Sequence, residues 1–420
     1  MADNMQLLSI STNNLEQCLK CSICTVYCPV SSVTTEYPGP KHAGPDGERY
    51  RLKDPMYFDE KALKLCLNCK RCEVACPQGV KIGDIIQSAR IKYSKHKPSL
   101  RDFTLASTDL VGSIATKVAP IANFALGLQP VKAIMHSTIG VDKHRTFPKY
   151  SSETFESWYA KEAKASQTSF PKQISYFHGC YVNYNFPQLG KDLVKVMNAI
   201  GFGVHLLEKE KCCGVALIAN GMAKKAAKNG EKNMAAMRNS MAKGRQILTT
   251  SSTCTFTMRD EYEHLLHIDN EVAKNNLSLA TRFIYRMIEA GEVKLAFRQD
   301  YKKRVAYHTA CHMERLGWAV YSTGLLKMIP GLDLVMLDSQ CCGIGGTYGF
   351  KKENYNISQS IGSNLFKQIE EADVDCVSTD CETCKWQIEM STGVSVINPI
   401  SIIAEALDVE ATKALNINNK

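Results

Sequence analysis

Two runs of cysteine constrain this chain more than any other feature. Cys18, Cys21, Cys24 and Cys28-Pro29 follow the spacing C-x2-C-x2-C-x3-C-P, and Cys66, Cys69, Cys72 and Cys76-Pro77 follow it again. A two-residue gap lets successive thiolates reach adjacent corners of one small inorganic cluster. Where two such runs occur together, the first three cysteines of a run bind one [4Fe–4S] cluster and the fourth binds the other. On that rule Cys18, Cys21, Cys24 and Cys76 take one cluster, and Cys66, Cys69, Cys72 and Cys28 take the second. Structural zinc is the competing reading. Zinc pairs usually separate two C-x2-C halves by about 12–20 residues. Here four cysteines crowd into eleven positions, twice, and that favours iron–sulfur chemistry.

The remaining cysteines repeat one another. Cys180 and Cys311 lie 131 residues apart, Cys212-Cys213-Gly214 and Cys341-Cys342-Gly343 lie 129 apart, and Cys254 and Cys384 lie 130 apart. A near-constant offset in three landmarks is a duplication. Each copy reads in the same order. A short apolar run (Ile174–Phe177, or Val305–Tyr307) precedes a helix-period stretch, such as Leu189, Leu193, Val196, Met197 and Ile200. A second strand follows (Val204–Leu207, or Leu334–Leu337), then the Cys-Cys-Gly turn, another helix and a third strand. Strands alternating with helices predict small parallel sheets with the cysteines at the strand ends. The fold class expected is therefore mixed α+β and α/β: a helical N-terminal two-cluster domain of ferredoxin type, then two α/β cysteine-rich repeats. The division expected is 1–100 for the cluster domain, 101–170 for a linker, 171–298 for the first repeat and 299–420 for the second.

The second copy offers five thiols, Cys311, Cys341, Cys342, Cys381 and Cys384, which suit an irregular cluster or four ligands and a reactive thiol. The first copy offers four, Cys180, Cys212, Cys213 and Cys254, with Ser251 where the second has Cys381. It holds a four-thiolate cluster, something weaker, or a structural core. Ser251 also suits a helix N-cap. Cys376, inside a predicted strand, reads as a buried apolar residue. His178 and His308 precede each copy's first cysteine, either to tune a sulfur or as core histidines.

Composition closes off other classes. The chain has 420 residues, a net charge of +9 and no aromatic-interleaved basic stripe, so nucleic acid is not an expected partner. Met1–Ser11 lacks the regions of a secretory signal, and eighteen cysteines then point to a reducing compartment and metal ligation. No P-loop or dinucleotide fingerprint occurs, so the chain is expected to lack its own flavin or nicotinamide. From Leu110 to Val141 the only charged residues are Lys117 and Lys132. Leu110, Ile114, Val118 and Ile121 fall at helical spacing until Pro120 interrupts. That stretch is read either as a packed inter-domain segment or as a helix in the membrane interface.

Several longer stretches resemble a known family. They include Tyr37-Pro38-Gly39-Pro40-Lys41, Asn68 to Pro77, Phe177-His178-Gly179-Cys180, Ser339 to Gly343 and Thr379 to Trp386. The family comprises Cys-Cys-Gly iron–sulfur subunits of glycolate and lactate oxidases, of heterodisulfide reductases and of anaerobic glycerol-3-phosphate dehydrogenases, and it is the last that these stretches resemble in particular. The resemblance implies a non-catalytic electron-transfer subunit with two [4Fe–4S] clusters and room for one or two more. It implies a complex with a flavin-containing catalytic subunit and a second subunit, which pass electrons through this chain to menaquinone. It also implies a peripheral, anchoring position on the cytoplasmic face of the inner membrane. The alternatives are a heterodisulfide-reductase-like thiol/disulfide reductase subunit and the iron–sulfur subunit of a glycolate or lactate oxidase.

Overall fold

The computed structural model describes residues 15–54, 60–93 and 98–417. Its N-terminal part is built on short helices: α1 (Ile23–Val26), α2 (Arg71–Val74) and α3 (Ile82–Tyr93). Ile82, Ile85, Ile86 and Ala89 are buried along one side of α3, as their helical spacing requires. They share a core with Val30, Leu63, Leu67 and Val80, and with Cys341 and Ile361 of the second copy. The cluster domain is thus packed onto the second repeat.

The next segment is three short helices, α4 (Thr108–Lys117), α5 (Ala119–Gly127) and α6 (Gln129–Thr138). Pro120 stands in the first turn of α5, and α4 and α5 meet at 107°. A proline costs nothing in a first turn, where its missing N–H has no helical partner. No single helix among the described residues is long and apolar enough to cross a membrane. The Leu110–Val141 segment packs on one side, where Gly112, Ala115, Ala119 and Val141 are buried. Ile114, Ile121 and Phe124 are 59, 72 and 68% exposed, and Leu110 and Val118 are exposed as well. Polar contacts nevertheless fix the segment. Asp109 accepts the amide of Cys212 at 2.9 Å. Asn123 exchanges two hydrogen bonds with the backbone of Tyr150, each 2.8 Å. Val141 bridges antiparallel to Lys351.

Each copy then forms one four-stranded parallel sheet. The first contains β1 (Lys172–Phe177), β2 (Phe202–Leu206), β3 (Gln246–Thr249) and β4 (Leu277–Leu279). The second contains β5 (Lys303–Tyr307), β6 (Leu332–Met336), β7 (Cys376–Ser378) and β8 (Val396–Ile397). The orders are β2-β1-β3-β4 and β6-β5-β7-β8. The registers correspond too: Ile174 opposes Val204 and Gln246, and Val305 opposes Leu334 and Cys376. Ile174 to Phe177 are buried without alternation, because helices cover both faces of a parallel sheet. Helix α7 (Pro187–Ala199) buries Leu189, Leu193, Val196 and Met197, as predicted. The two repeats share one core, in which Phe155, Leu193, Tyr307 and Ile403 belong to a single cluster. Cys376 lies in that cluster, buried.

Candidate metal centres

The two N-terminal runs fold alike. Lys20 and Ser22 take positive φ of 58 and 65°, and Asn68 and Lys70, at the equivalent positions of the second run, take 57 and 63°. Left-handed backbone at a non-glycine residue costs about 1–3 kcal/mol and persists only where the surroundings impose it. Here it curls each run so that its thiols converge. The nearest thiol charges to Cys24 are those of Cys18, Cys76 and Cys21, and burial with these neighbours raises its pKa. Cys28 belongs to the other group. Burial, then the charges of Cys69 and Cys66, push it up to about 11. Cys72, raised first by burial, feels Cys69, Cys66 and Cys28. The fourth cysteine of each run is therefore brought to the first three of the other.

In each repeat the cysteines follow carboxyl ends of strands, where the sheet stops and loops converge. The Cys-Cys turns depend on Gly214 and Gly343, at φ of 88 and 85°. In the first repeat the thiol of Cys180 faces that of Cys212, and the thiol of Cys213 faces those of Cys212 and Cys254. In the second, the thiol of Cys311 faces that of Cys341, Cys342 lies 3.4 Å from Cys384, and the thiol of Cys381 faces that of Cys384. Hydrogen bonds from neighbouring thiols, Cys180 for Cys212 and Cys341 for Cys342, hold these two well below the usual thiol range. Cys180, Cys341 and Cys384, beside them, are held well above it. The amides of Asn68 and Gly343 donate to the sulfurs of Cys66 and Cys341, each at 3.4 Å.

This donor set suits iron–sulfur clusters. Sulfur dominates it, the thiols crowd one another, and only a cation can offset several thiolates packed together. Amide donors to sulfur are the usual means of tuning a cluster.

Other sequence candidates fall differently. Ser251 is a helix N-cap, accepting from the amide of Cys254 at 3.2 Å. His178 is not aimed at sulfur. Its ring contacts the Gly179 carbonyl at 3.0 Å and lies 3.4 Å from Glu210 and 3.5 Å from Glu156. Burial opposes its charge most, but Glu210, Glu156 and the Gly179 carbonyl together outweigh burial and lift it to about 9. His308 is buried, with neither ring nitrogen partnered among the described residues. Burial pushes it down, against the charge of Cys342.

One relationship has no signal in the spacing. Cys69, in the second N-terminal run, faces Cys311 of the second repeat, and that contact raises its pKa most. Another is that both repeats' thiol groups line a single cavity of about 570 Å³. Thr253 of the first repeat lies 3.5 Å from the Cys381 sulfur of the second.

Known proteins match this arrangement part by part. A 4Fe-4S dicluster domain matches residues 14–80, and a cysteine-rich domain matches 174–259 and again 305–389. The C-type subunit of the anaerobic glycerol-3-phosphate dehydrogenase of Escherichia coli is 55% identical over 95% of this chain and all of its own length. The chain belongs to that family. It is an iron–sulfur electron-transfer protein of that type. More distant relatives align along most of the chain. The B-type subunit of the fumarate reductase (CoM/CoB) of Methanothermobacter marburgensis is 27% identical over 95% of this chain and 73% of its own. The D-type subunit of the dihydromethanophenazine:CoB–CoM heterodisulfide reductase of Methanosarcina barkeri is 23% identical over 98% of both.

Proposed function

We propose that this chain carries electrons from flavin-containing catalytic subunits that oxidise glycerol 3-phosphate to menaquinone, and anchors those subunits at the cytoplasmic face of the inner membrane. Cys18, Cys21, Cys24 and Cys76 hold one [4Fe–4S] cluster, and Cys66, Cys69, Cys72 and Cys28 hold the other. Cys311, Cys341, Cys342, Cys381 and Cys384 hold a further cluster, and Cys180, Cys212, Cys213 and Cys254 offer a site for one more. A bound cluster of this kind takes up and releases one electron at a time.

The contact between Cys69 and Cys311 carries the reading. It joins the N-terminal thiols to those of the second repeat without intervening protein. Cys21 is exposed at the surface end, and Cys341, Cys342, Cys381 and Cys384 are buried at the cavity end. The chain thus supplies an ordered row of thiols from surface to cavity. The exposed apolar side of α4 and α5 supports membrane contact. These helices carry Ile114, Ile121 and Phe124 outward and, with α6, no charges but Asp109, Lys117 and Lys132.

Anaerobic purification of the complex tests the cluster count. Iron and sulfide beyond the about eight atoms each that two [4Fe–4S] clusters carry, with paramagnetic resonance of the reduced protein, support the added sites. A count that stops there confines iron to the N-terminal domain. Replacing Ile121 and Phe124 by Glu should release the complex from vesicles, and unchanged binding would remove the anchor. A second reading, disulfide reduction, is favoured by the two thiol groups that share one cavity. Turnover of a heterodisulfide by the isolated complex would select it.

A further inference from the structure

The cavity has walls of two kinds. One is made of the cysteines of both repeats, with Cys69. The other is made of α4, α5 and α6, through Val111, Ala115, Ala125, Leu126 and Met135. This second wall belongs to no thiol group. Small side chains dominate it on α4 and α5, and so the space continues beneath the helices. The cavity measures about 570 Å³, which includes the places of the thiol-bound clusters, and small-molecule sites occupy about 300–1,000 Å³.

The same helices are apolar on their outer side. Ile114 sits one residue from Ala115, and Phe124 one residue from Ala125, yet Ile114 and Phe124 point to solvent while both alanines line the cavity. A helix apolar all round is stable when buried or in lipid. These helices are not covered by protein on the outside, and their place is fixed by Asp109, Asn123 and Val141.

We propose that this cavity is the quinone site: an isoprenoid quinone passes from the bilayer through the α4–α6 wall and is reduced against the thiol-lined wall. The inference rests on the quinone and membrane readings above and adds where the quinone binds. Reduction takes two electrons, supplied by oxidation of the partner's substrate, and two protons from water, and yields the quinol. Tyr150 and Thr108 line the same cavity and are hydroxyl donors for a quinone carbonyl. Ala125 is the residue to fill, since a large ring there takes the space without removing a polar contact.

The test uses the complete dehydrogenase complex in vesicles of phosphatidylethanolamine and phosphatidylglycerol. An azido-substituted menaquinone analogue should label peptides within residues 104–150 or the cysteine loops of the repeats. Ala125→Trp should lower the ratio of menaquinone reduction to ferricyanide reduction at least about tenfold, mainly through KM. Label elsewhere, with an unchanged ratio in Ala125→Trp, overturns the assignment of the cavity while the wild-type complex still reduces quinone. A wild-type complex that reduces ferricyanide but no quinone overturns the functional reading itself.

Discussion

The hydroxyl of Ser251 in the first repeat donates to both carboxylate oxygens of Glu382 in the second, at 3.1 and 3.0 Å. Ser251 stands where the second repeat has Cys381, so the position without a thiol serves as a clasp between the copies. Burial raises the Glu382 carboxyl, and the Ser251 bond opposes that rise. Ser251→Ala removes this bond and the N-cap together. It should cost about 1–3 kcal/mol, read as an anaerobic denaturation midpoint, and Ser251→Thr should recover most of it.

Gly343 governs the second repeat's paired cysteines. Its φ is 85°, and a Cβ there would lie 2.0 Å from the Ser358 carbonyl oxygen. Gly343→Ala costs about 1–3 kcal/mol for the left-handed backbone and must also displace that carbonyl. The expected outcome is iron lost from the second repeat while the N-terminal clusters remain. Iron per chain and the resonance spectrum of the reduced variant measure this, and full iron content would refute it.

Lys70 is buried among three carboxylates. It pairs with Asp84, and lies 3.7 Å from Glu73 and 3.5 Å from Glu261. Glu261 belongs to the first repeat, so this ion cluster ties the cluster domain to it. Lys70→Met removes the central cation, leaving Glu73 with Arg315 at 3.5 Å, and should destabilise by about 3–5 kcal/mol. Glu73, already lifted to about 7 mainly by burial, should then hold its proton to higher pH. Denaturation at two pH values distinguishes this from simple loss of packing.

Asp380 gives a pH dependence with a defined sign. It is buried, accepts from Tyr307 at 2.7 Å and Ser322 at 3.0 Å, and is raised to about 6, chiefly by burial. The folded state therefore binds a proton more tightly than the unfolded state. Its contribution is fully present below about pH 4 and is lost as pH rises to about 6. The loss amounts to about 2–3 kcal/mol. Asp380→Asn should flatten stability across that window relative to the wild type. A parallel pH profile in the two proteins would count against the assignment.

Much of this was legible along the chain. The cysteine spacings identified the cluster domain because ligand geometry demands short, regular gaps. The constant offset revealed the repeats, and apolar runs located six of the eight strands. Strands β4 and β8, of three and two residues, carry too little pattern to register. The α4–α6 segment was ambiguous because apolar residues on opposite faces of a bent helix pair look the same in sequence. Only the fold shows that Ala115 turns inward and Ile114 outward.

Sequence alone determined the chemistry of this protein: which residues are thiols, how they are grouped, and that the second half is written twice. Tertiary structure decided adjacency. Cys69 meets Cys311 across 242 positions of the chain, and Ser251 meets Glu382 across 131. Local spacing governs what one turn of backbone can wrap around, whereas contacts between distant loops depend on how whole sheets and helices pack. That packing brings separate thiol groups to one cavity.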